Sequence, residues 1–318
     1  MLLAHRDDTK ELVETTMSQS HIRPANRRLA LVAAAVLVVG WSAPSSGETV
    51  HSCHSERSRE AAKSRNRNRQ SAEGTVQDLT IPSKSYPPSR HLWVYTPAGY
   101  PTTCAGACNL ILAFDGGMYL GAMPLPRILD SLTAARRTPP TVAILFDNGG
   151  ATRLDDLANH DRFASFVADE LIPWARAKWS VTRDPSRTII TGSSAGGLAA
   201  AYIAFKHPDL FGNLLSQSGA FWRGNEGAND APFEWVTAQY QSAPKKEIRF
   251  VLEVGALETT GAMGGAAPSL VVANRKLRDA LAAKQYRVDY FEVPGGDHSP
   301  ETWRVRLPLG IVALAPWR

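Results

Sequence analysis

Thr188-Ile189-Ile190-Thr191-Gly192-Ser193-Ser194-Ala195-Gly196-Gly197-Leu198-Ala199-Ala200 is the stretch whose reading decides the fold. A short β-branched run meets a Gly-x-Ser-x-Gly turn and opens into an Ala-rich helical segment. A turn that sharp needs small residues two before and two after its centre, and Gly192 and Gly196 supply them. The geometry lifts Ser194 off a strand end toward solvent. The helix that follows aims its first N–H groups at the same spot, which suits a developing oxyanion. Ser194 is the candidate nucleophile, and the amide of Ala195 is one candidate donor to that oxyanion.

A serine needs a base. Arg287 to Val293 alternates like a strand, Pro294-Gly295-Gly296-Asp297-His298 reads as a turn, and from Glu301 a segment with Trp303, Leu307, Ile311 and Leu314 has helical spacing. His298 therefore stands on a Gly-rich loop at a strand end, after the serine in sequence. Among the other histidines, His21, His51 and His54 lie in the N-terminal tail, His91 in a predicted strand, and His207 before Pro208. Where a strand–Gly-x-Ser-x-Gly–helix unit carries a triad, its order is Ser, acid, His. Ile248 to Val254 is the clear strand between them, and Glu258 follows it at once. Glu258 is the candidate acid. Glu253 within the strand, Asp297 beside the histidine, and a serine–histidine pair without a strong acid remain alternatives.

The same reading places strands at Arg90–Thr96, Asn109–Phe114, Thr141–Phe146, Thr188–Thr191, Leu214–Gln217, Ile248–Val254 and Val288–Val293. Helical patterns fall at Asp161–Lys178, Ala195–Lys206, Ser269–Lys284 and Glu301–Ala313. Strands alternating with amphipathic helices predict an α/β fold: a mostly parallel central sheet with helices on both faces. An antiparallel hairpin is expected from Gly74 to Tyr100. Ligands bind at the carboxyl ends of such strands, where Ser194, Glu258 and His298 all fall.

These residues carry a resemblance. The chain resembles the enterochelin-esterase branch of the esterase D-like α/β hydrolases, which is similar in turn to feruloyl esterases and mycobacterial mycolyltransferases. The supporting motifs are Tyr95-Thr96-Pro97-Ala98-Gly99-Tyr100, Phe114-Asp115-Gly116-Gly117-Met118-Tyr119, the serine turn, Ser216-Gln217-Ser218-Gly219-Ala220-Phe221-Trp222, and the histidine loop with Trp303 five residues on. They span Gly74 to Trp317. Two positions depart from the family pattern: Asp297 is inserted before the histidine, and Ser299 stands where aspartate is usual. Both bear on the hydrogen-bond surroundings of His298. The resemblance implies an α/β-hydrolase fold, a serine esterase working through an acyl-enzyme without metal or cofactor, and a small-molecule ester substrate such as a catecholate siderophore lactone, free or ferric. A feruloyl or acetyl esterase acting on polysaccharide and an acyltransferase of the same fold are the alternatives. A binding protein that has lost the chemistry is disfavoured, because no triad member is missing.

The loop after Asn109–Phe114 is expected to complete the oxyanion hole through Gly117, with Met118 the alternative. Tyr119, Trp222 and Trp303 are candidates to line an aromatic-walled cleft, with Arg153 or Arg223 pairing anionic groups on a ligand. Core packing for Trp303 and plain solvent exposure for the arginines are the competing readings.

Length and composition set the outer limits. The chain has 318 residues, 44% hydrophobic and 20% charged, enough for one large α/β domain at 74–318 preceded by a tail. Its formal charge is +5, but eleven of the 35 Lys/Arg and eight of the 30 Asp/Glu precede Gly74, so the rest carries only +2. The basic balance is partly a tail property and, with no recognition motif, gives no reason to expect a nucleic-acid partner. Residues 1–43 read as a signal or anchor segment. Arg27-Arg28 precede an apolar run from Leu29 to Gly40, shorter than the ~20 residues a bilayer span needs but fitting a secretory leader. Met17 is a candidate start for a conventional leader. Membrane contact is expected only through this segment if it stays uncleaved, and the location implied is periplasmic or secreted. Residues 44–73 are Ser-, Arg-, Asn- and Glu-rich without apolar periodicity, as in a disordered linker. Cys104 and Cys108 flank Ala105-Gly106-Ala107, and in an exported protein they are expected to close a small disulfide ring, leaving Cys53 free.

Overall fold

The computed structural model describes residues 73–86, 89–150, 153–158, 161–224, 233–261 and 263–317. The leader at 1–43, Cys53 and all of the linker but Glu73 lie outside these residues. Among the described residues eight strands form one sheet in the order β1-β2-β4-β3-β5-β6-β7-β8. They are β1 (Thr75–Pro82), β2 (Ser89–Thr96), β3 (Asn109–Phe114), β4 (Thr141–Phe146), β5 (Thr188–Ser193), β6 (Asn213–Gln217), β7 (Arg249–Gly255) and β8 (Arg287–Val293). The expected hairpin is present: β1 pairs antiparallel with β2 from Thr75↔Thr96 to Pro82↔Ser89. β2 also pairs antiparallel with β4, and every pairing from β4 to β8 is parallel.

The central strands β3, β4, β5 and β6 are buried along their whole length. That is why they read as near-continuous apolar runs rather than alternating ones: parallel strands covered on both faces have no solvent side. Their residues divide by the pleat. Leu110, Leu112, Phe114, Ile144 and Ile190 join the core on one face, and Ile111, Ala113, Ala143, Leu145 and Ile189 join the core on the other.

The helices are α1 (Gly116–Leu120), α2 (Leu125–Ala134), α3 (Arg153–Leu157), α4 (Asp161–Phe166), α5 (Ile172–Lys178), α6 (Ala195–Lys206), α7 (Trp235–Ser242), α8 (Leu270–Ala283) and α9 (Pro300–Leu314). α6 is buried at every position from Ala195 to Ala204, which its lack of a polar face reflects. Side chains cap the two helices after β7 and β8. The Ser269 hydroxyl accepts from the Val272 N–H at 3.3 Å, and the Ser299 hydroxyl accepts from the Thr302 N–H at 3.4 Å. Pro300 takes the first position of α9, where its missing N–H costs nothing.

The continuous helix expected over Asp161–Lys178 is instead interrupted. A π-turn at Val167–Leu171 joins α4 to α5. Pro173 has no N–H to donate and its ring crowds the preceding turn, so the wider turn accommodates it. The sequence reading also passed over α2 and α7. Cys104 and Cys108 are bonded as expected, with Cα atoms 4.8 Å apart, at the amino-terminal end of β3.

Candidate active site

The segments that carry the candidate residues follow the carboxyl ends of six strands, β3, β4, β5, β6, β7 and β8, which pair parallel with one another. The β5–α6 turn holds Ser194 at φ 56 and ψ −122, a backbone state rarely tolerated outside glycine. The packing around it enforces that state. A Cβ on Gly192 would stand 2.3 Å from the Gly196 carbonyl carbon, so only glycine lets the two arms of the turn close. The Ser194 N–H donates to the Gln217 carbonyl at 2.9 Å, and its carbonyl accepts from Leu198 at 3.1 Å and Ala220 at 3.0 Å. The elbow is thereby tied to both α6 and the loop after β6.

His298 stands on the loop after β8. Its Nδ1–H donates to Glu258 Oε2 at 2.6 Å; the imidazole side chain is 39% exposed and the carboxylate 3%. With Nδ1 committed to the carboxylate, Nε2 is left with its lone pair, the tautomer a general base requires. The loops are laced together by the Leu257 N–H donating to the Gly296 carbonyl at 2.9 Å and Ala256 N–H to the Val293 carbonyl at 3.0 Å. Glu258 Oε1 accepts from the Gly255 N–H at 2.7 Å and from the Ser218 hydroxyl at 2.5 Å. The Trp303 indole N–H donates to that same hydroxyl at 2.8 Å. The serine hydroxyl and the imidazole are not yet hydrogen-bonded to each other, which is common before substrate enters.

The rival acids point elsewhere. Glu253 is buried in β7, accepts from Gln217 Nε2 at 2.9 Å and Arg306 Nε at 3.3 Å, and burial pushes its pKa up. Asp297 Oδ1 accepts from the Ser299 hydroxyl at 2.5 Å and the Thr302 hydroxyl at 3.0 Å, which hold its pKa below the usual carboxylate value. The two departures from the family pattern thus satisfy one another at the start of α9 and leave the ring to Glu258.

On the loop after β3, Asp115 adopts φ 57 and ψ 49 and opens α1. The Met118 N–H donates to the Asp115 carbonyl at 2.9 Å, so this alternative donor is occupied. Gly117 and Ala195 occupy first turns of α1 and α6, where amides have no intrahelical acceptor. Sequence reasoning missed what fixes this loop. Asn148 Oδ1 accepts from the Asp115 N–H at 3.2 Å, and Asn148 Nδ2 donates to Asp156 at 2.9 Å. Arg90 clamps Asp156 in turn. No spacing rule joins these residues; only the fold brings them together.

Two substrate-contact expectations, Tyr119 and Trp303, need correction, and a third residue, Arg153, has an ion-pair partner within the protein. Tyr119 is fully buried, with its hydroxyl 3.4 Å from Ser193 Oγ and its pKa pushed up to about 12 by burial, so it packs beneath the elbow rather than lining a cleft. Trp303 is 7% exposed and stands edge-on to His298 at 5.0 Å between ring centroids, a support rather than a wall. Arg153 is paired bidentately with Asp115, Nε to Oδ1 at 2.6 Å and a terminal nitrogen to Oδ2 at 2.7 Å, and this partner raises its pKa. Its charge is balanced within the protein. Trp222 is part-exposed, with Phe233 edge-on at 6.4 Å and the Arg223 guanidinium 5.1 Å from its ring centre.

The chain is similar to known proteins. The iron(III) enterobactin esterase of Escherichia coli O6:H1 (strain CFT073) is 30% identical over 246 residues, covering 77% of this chain and 58% of that protein. The crystal structure of the enterobactin esterase from Shigella flexneri in the presence of enterobactin superposes with a TM-score of 0.65 at 26% identity, over 76% of this chain and 59% of that one. A ferulic acid esterase shares the fold with a TM-score of 0.65 at 16% identity, over 76% of this chain and 98% of that one. The chain thus spans a little under three-fifths of the length of these two enterobactin esterases. The profile of the Esterase family, described as "Putative esterase", matches residues 83–313, and the chain belongs to that family, on its enterochelin-esterase-like branch.

Proposed function

We propose that this protein is a carboxylic ester hydrolase working through an acyl-enzyme on Ser194. His298 Nε2 takes the proton from the serine hydroxyl as it attacks the ester carbonyl, then hands that proton to the leaving alcohol. Glu258 keeps the ring oriented and stabilises the imidazolium. The amides of Ala195 and Gly117 receive the charge that develops on the carbonyl oxygen. In the second half His298 draws a proton from water, whose oxygen attacks the acyl carbon, and passes that proton to the departing Ser194 oxygen, releasing the acid and the free hydroxyl. The observation that supports the reading most is the 2.6 Å bond from His298 Nδ1 to Glu258 Oε2, on loops at the same sheet edge as the strained Ser194 elbow.

For substrate we infer a catecholate siderophore lactone or its linear fragments. Relatives named as iron(III) enterobactin esterases lend support, as does the part-exposed Trp222 with Phe233 and Arg223 around it, a surface suited to stacking on an electron-rich ring. The location we propose is the periplasm or the exterior, supported by the Cys104–Cys108 disulfide and the apolar run that begins at Leu29. The test is a comparison of kcat/KM for a catecholate trilactone, a feruloyl ester and p-nitrophenyl acetate with the full chain. A preference for the trilactone by tenfold or more, about 1.4 kcal/mol of discrimination, is expected. Equal constants for acetyl and catechol esters would remove the siderophore reading.

A further inference from the structure

We propose that Ser218 is a positioning residue for the triad, acting on His298 through Glu258 and held in place by Trp303. The inference rests on the serine-esterase reading above and extends it to a residue outside the triad. Ser218 is fully buried and sits at φ 49, a left-handed backbone state with no glycine to ease it. Its own N–H donates to the Glu253 carbonyl at 2.6 Å, which fixes the turn after β6.

The hydroxyl's role follows from proton counting. An indole N–H can only donate, so Ser218 Oγ must accept from Trp303 at 2.8 Å. Its single proton is then free for one acceptor, and Glu258 Oε1 stands 2.5 Å away. With the Gly255 N–H also on Oε1, that oxygen is saturated and cannot exchange places with Oε2. Oε2 is left to His298 Nδ1, which fixes the ring's plane and tautomer. Trp303 serves twice, since its ring edge also bounds the imidazole face. Four elements meet here: the loops after β6, β7 and β8, and the first turn of α9. The other charged groups nearby are turned away, Asp297 toward Ser299 and Thr302, and Glu253 toward Gln217 and Arg306.

The experiment measures kcat and KM for p-nitrophenyl acetate across pH for wild type, Ser218→Ala, Ser218→Gly, Trp303→Phe and Glu258→Gln, with Ser218→Ala also in the Glu258→Gln background. Loss of a hydrogen bond to a charged group should lower kcat about ten- to a hundredfold in both Ser218 variants, with KM within about twofold. The glycine variant removes the backbone strain as well as the hydroxyl, so a matching loss assigns the effect to the hydroxyl. The acid limb of the profile should move to higher pH, because a carboxylate stripped of one donor grips the imidazolium proton harder. Trp303→Phe should move it the same way by less. In the Glu258→Gln background, Ser218→Ala should cost less than about twofold further. An unmoved acid limb, or losses that add fully to Glu258→Gln, would overturn the proposal. Labelling of wild type by a fluorophosphonate separates the two readings. No label on Ser194 defeats the esterase mechanism itself, whereas label on Ser194 with unaltered Ser218 variants defeats this inference alone.

Discussion

Ser194 carries a backbone strain of about 1–3 kcal/mol that its neighbours impose, and the strained turn is what raises the hydroxyl clear of the sheet. Ser194→Ala should keep the fold and lose ester hydrolysis by about 10⁴-fold or more, and His298→Ala should match it within about tenfold because the two act as a unit. Glu258→Gln should lose less. An organophosphonate adduct located by peptide mass mapping checks the assignment; an adduct on Ser193 or Ser218 would refute it. Ser194, Glu258 and His298 were legible in the sequence because each directly follows a recognisable strand, and in a parallel sheet all such positions share one edge. Tyr119 and Trp303 were misread for a physical reason. Spacing shows that an aromatic lies near a site but not which side of the backbone it packs on, and both turned inward. The contacts of Ser218 were not legible in the sequence, because its partners Trp303 and Glu258 lie 85 and 40 residues away.

At the level of elements, the β3–α1 loop is held from outside by α3. Arg153 at the start of that helix pairs with Asp115, whose Oδ2 lies 3.2 Å from where a Gly196 side chain would begin. One ion pair thus spaces the Gly117 amide against the Ser194 elbow. Arg153→Ala should lower kcat about tenfold or more with little change in KM, since it leaves Asp115 half-buried without its partner; a rise in KM for anionic substrates alone would restore Arg153 as a substrate contact. The hairpin edge offers a pH test. Burial lowers the His91 pKa, but hydrogen bonds to Asp147 and Asp78 outweigh it, so the folded value is raised. Its contribution is fully present below the unfolded value near ~6.5 and is lost as pH rises through the folded one. The Tm difference between wild type and His91→Gln should therefore be larger at pH 5.5 than at pH 8.5, and an equal difference at both would show the contact to be inert. Strands were legible to within a residue or two where apolar runs stop at turns. The π-turn was not, since a helical pattern survives across Pro173 even when the hydrogen bonds do not.

Across the whole molecule, the disulfide and the candidate site lie at opposite ends of the sheet. Cys104 and Cys108 precede β3, whereas Asp115 and Gly117 follow it. The ring braces the far end. The Ser180 hydroxyl donates to the Cys104 carbonyl at 2.7 Å, the Cys108 N–H to the Ser180 carbonyl at 2.9 Å, and the Thr182 N–H to the Cys108 carbonyl at 2.9 Å. These bonds tie the chain between α5 and β5 to the start of β3, and both sulfurs are buried. A ring this short stabilises by at or below ~3 kcal/mol, because little chain freedom is removed from the unfolded state. In a domain of this size each kcal/mol is worth roughly 2–4 °C in Tm. Cys104→Ser with Cys108→Ser should therefore lower Tm by a few degrees while leaving kcat unchanged, since no residue in the ring touches the site. Protein purified without reductant should be two hydrogen atoms lighter at these positions by mass spectrometry. Free thiols at both would contradict the bond and remove one of the two supports for an exported protein; a bond present in material from a reducing cytosol would separate the disulfide from the question of location altogether.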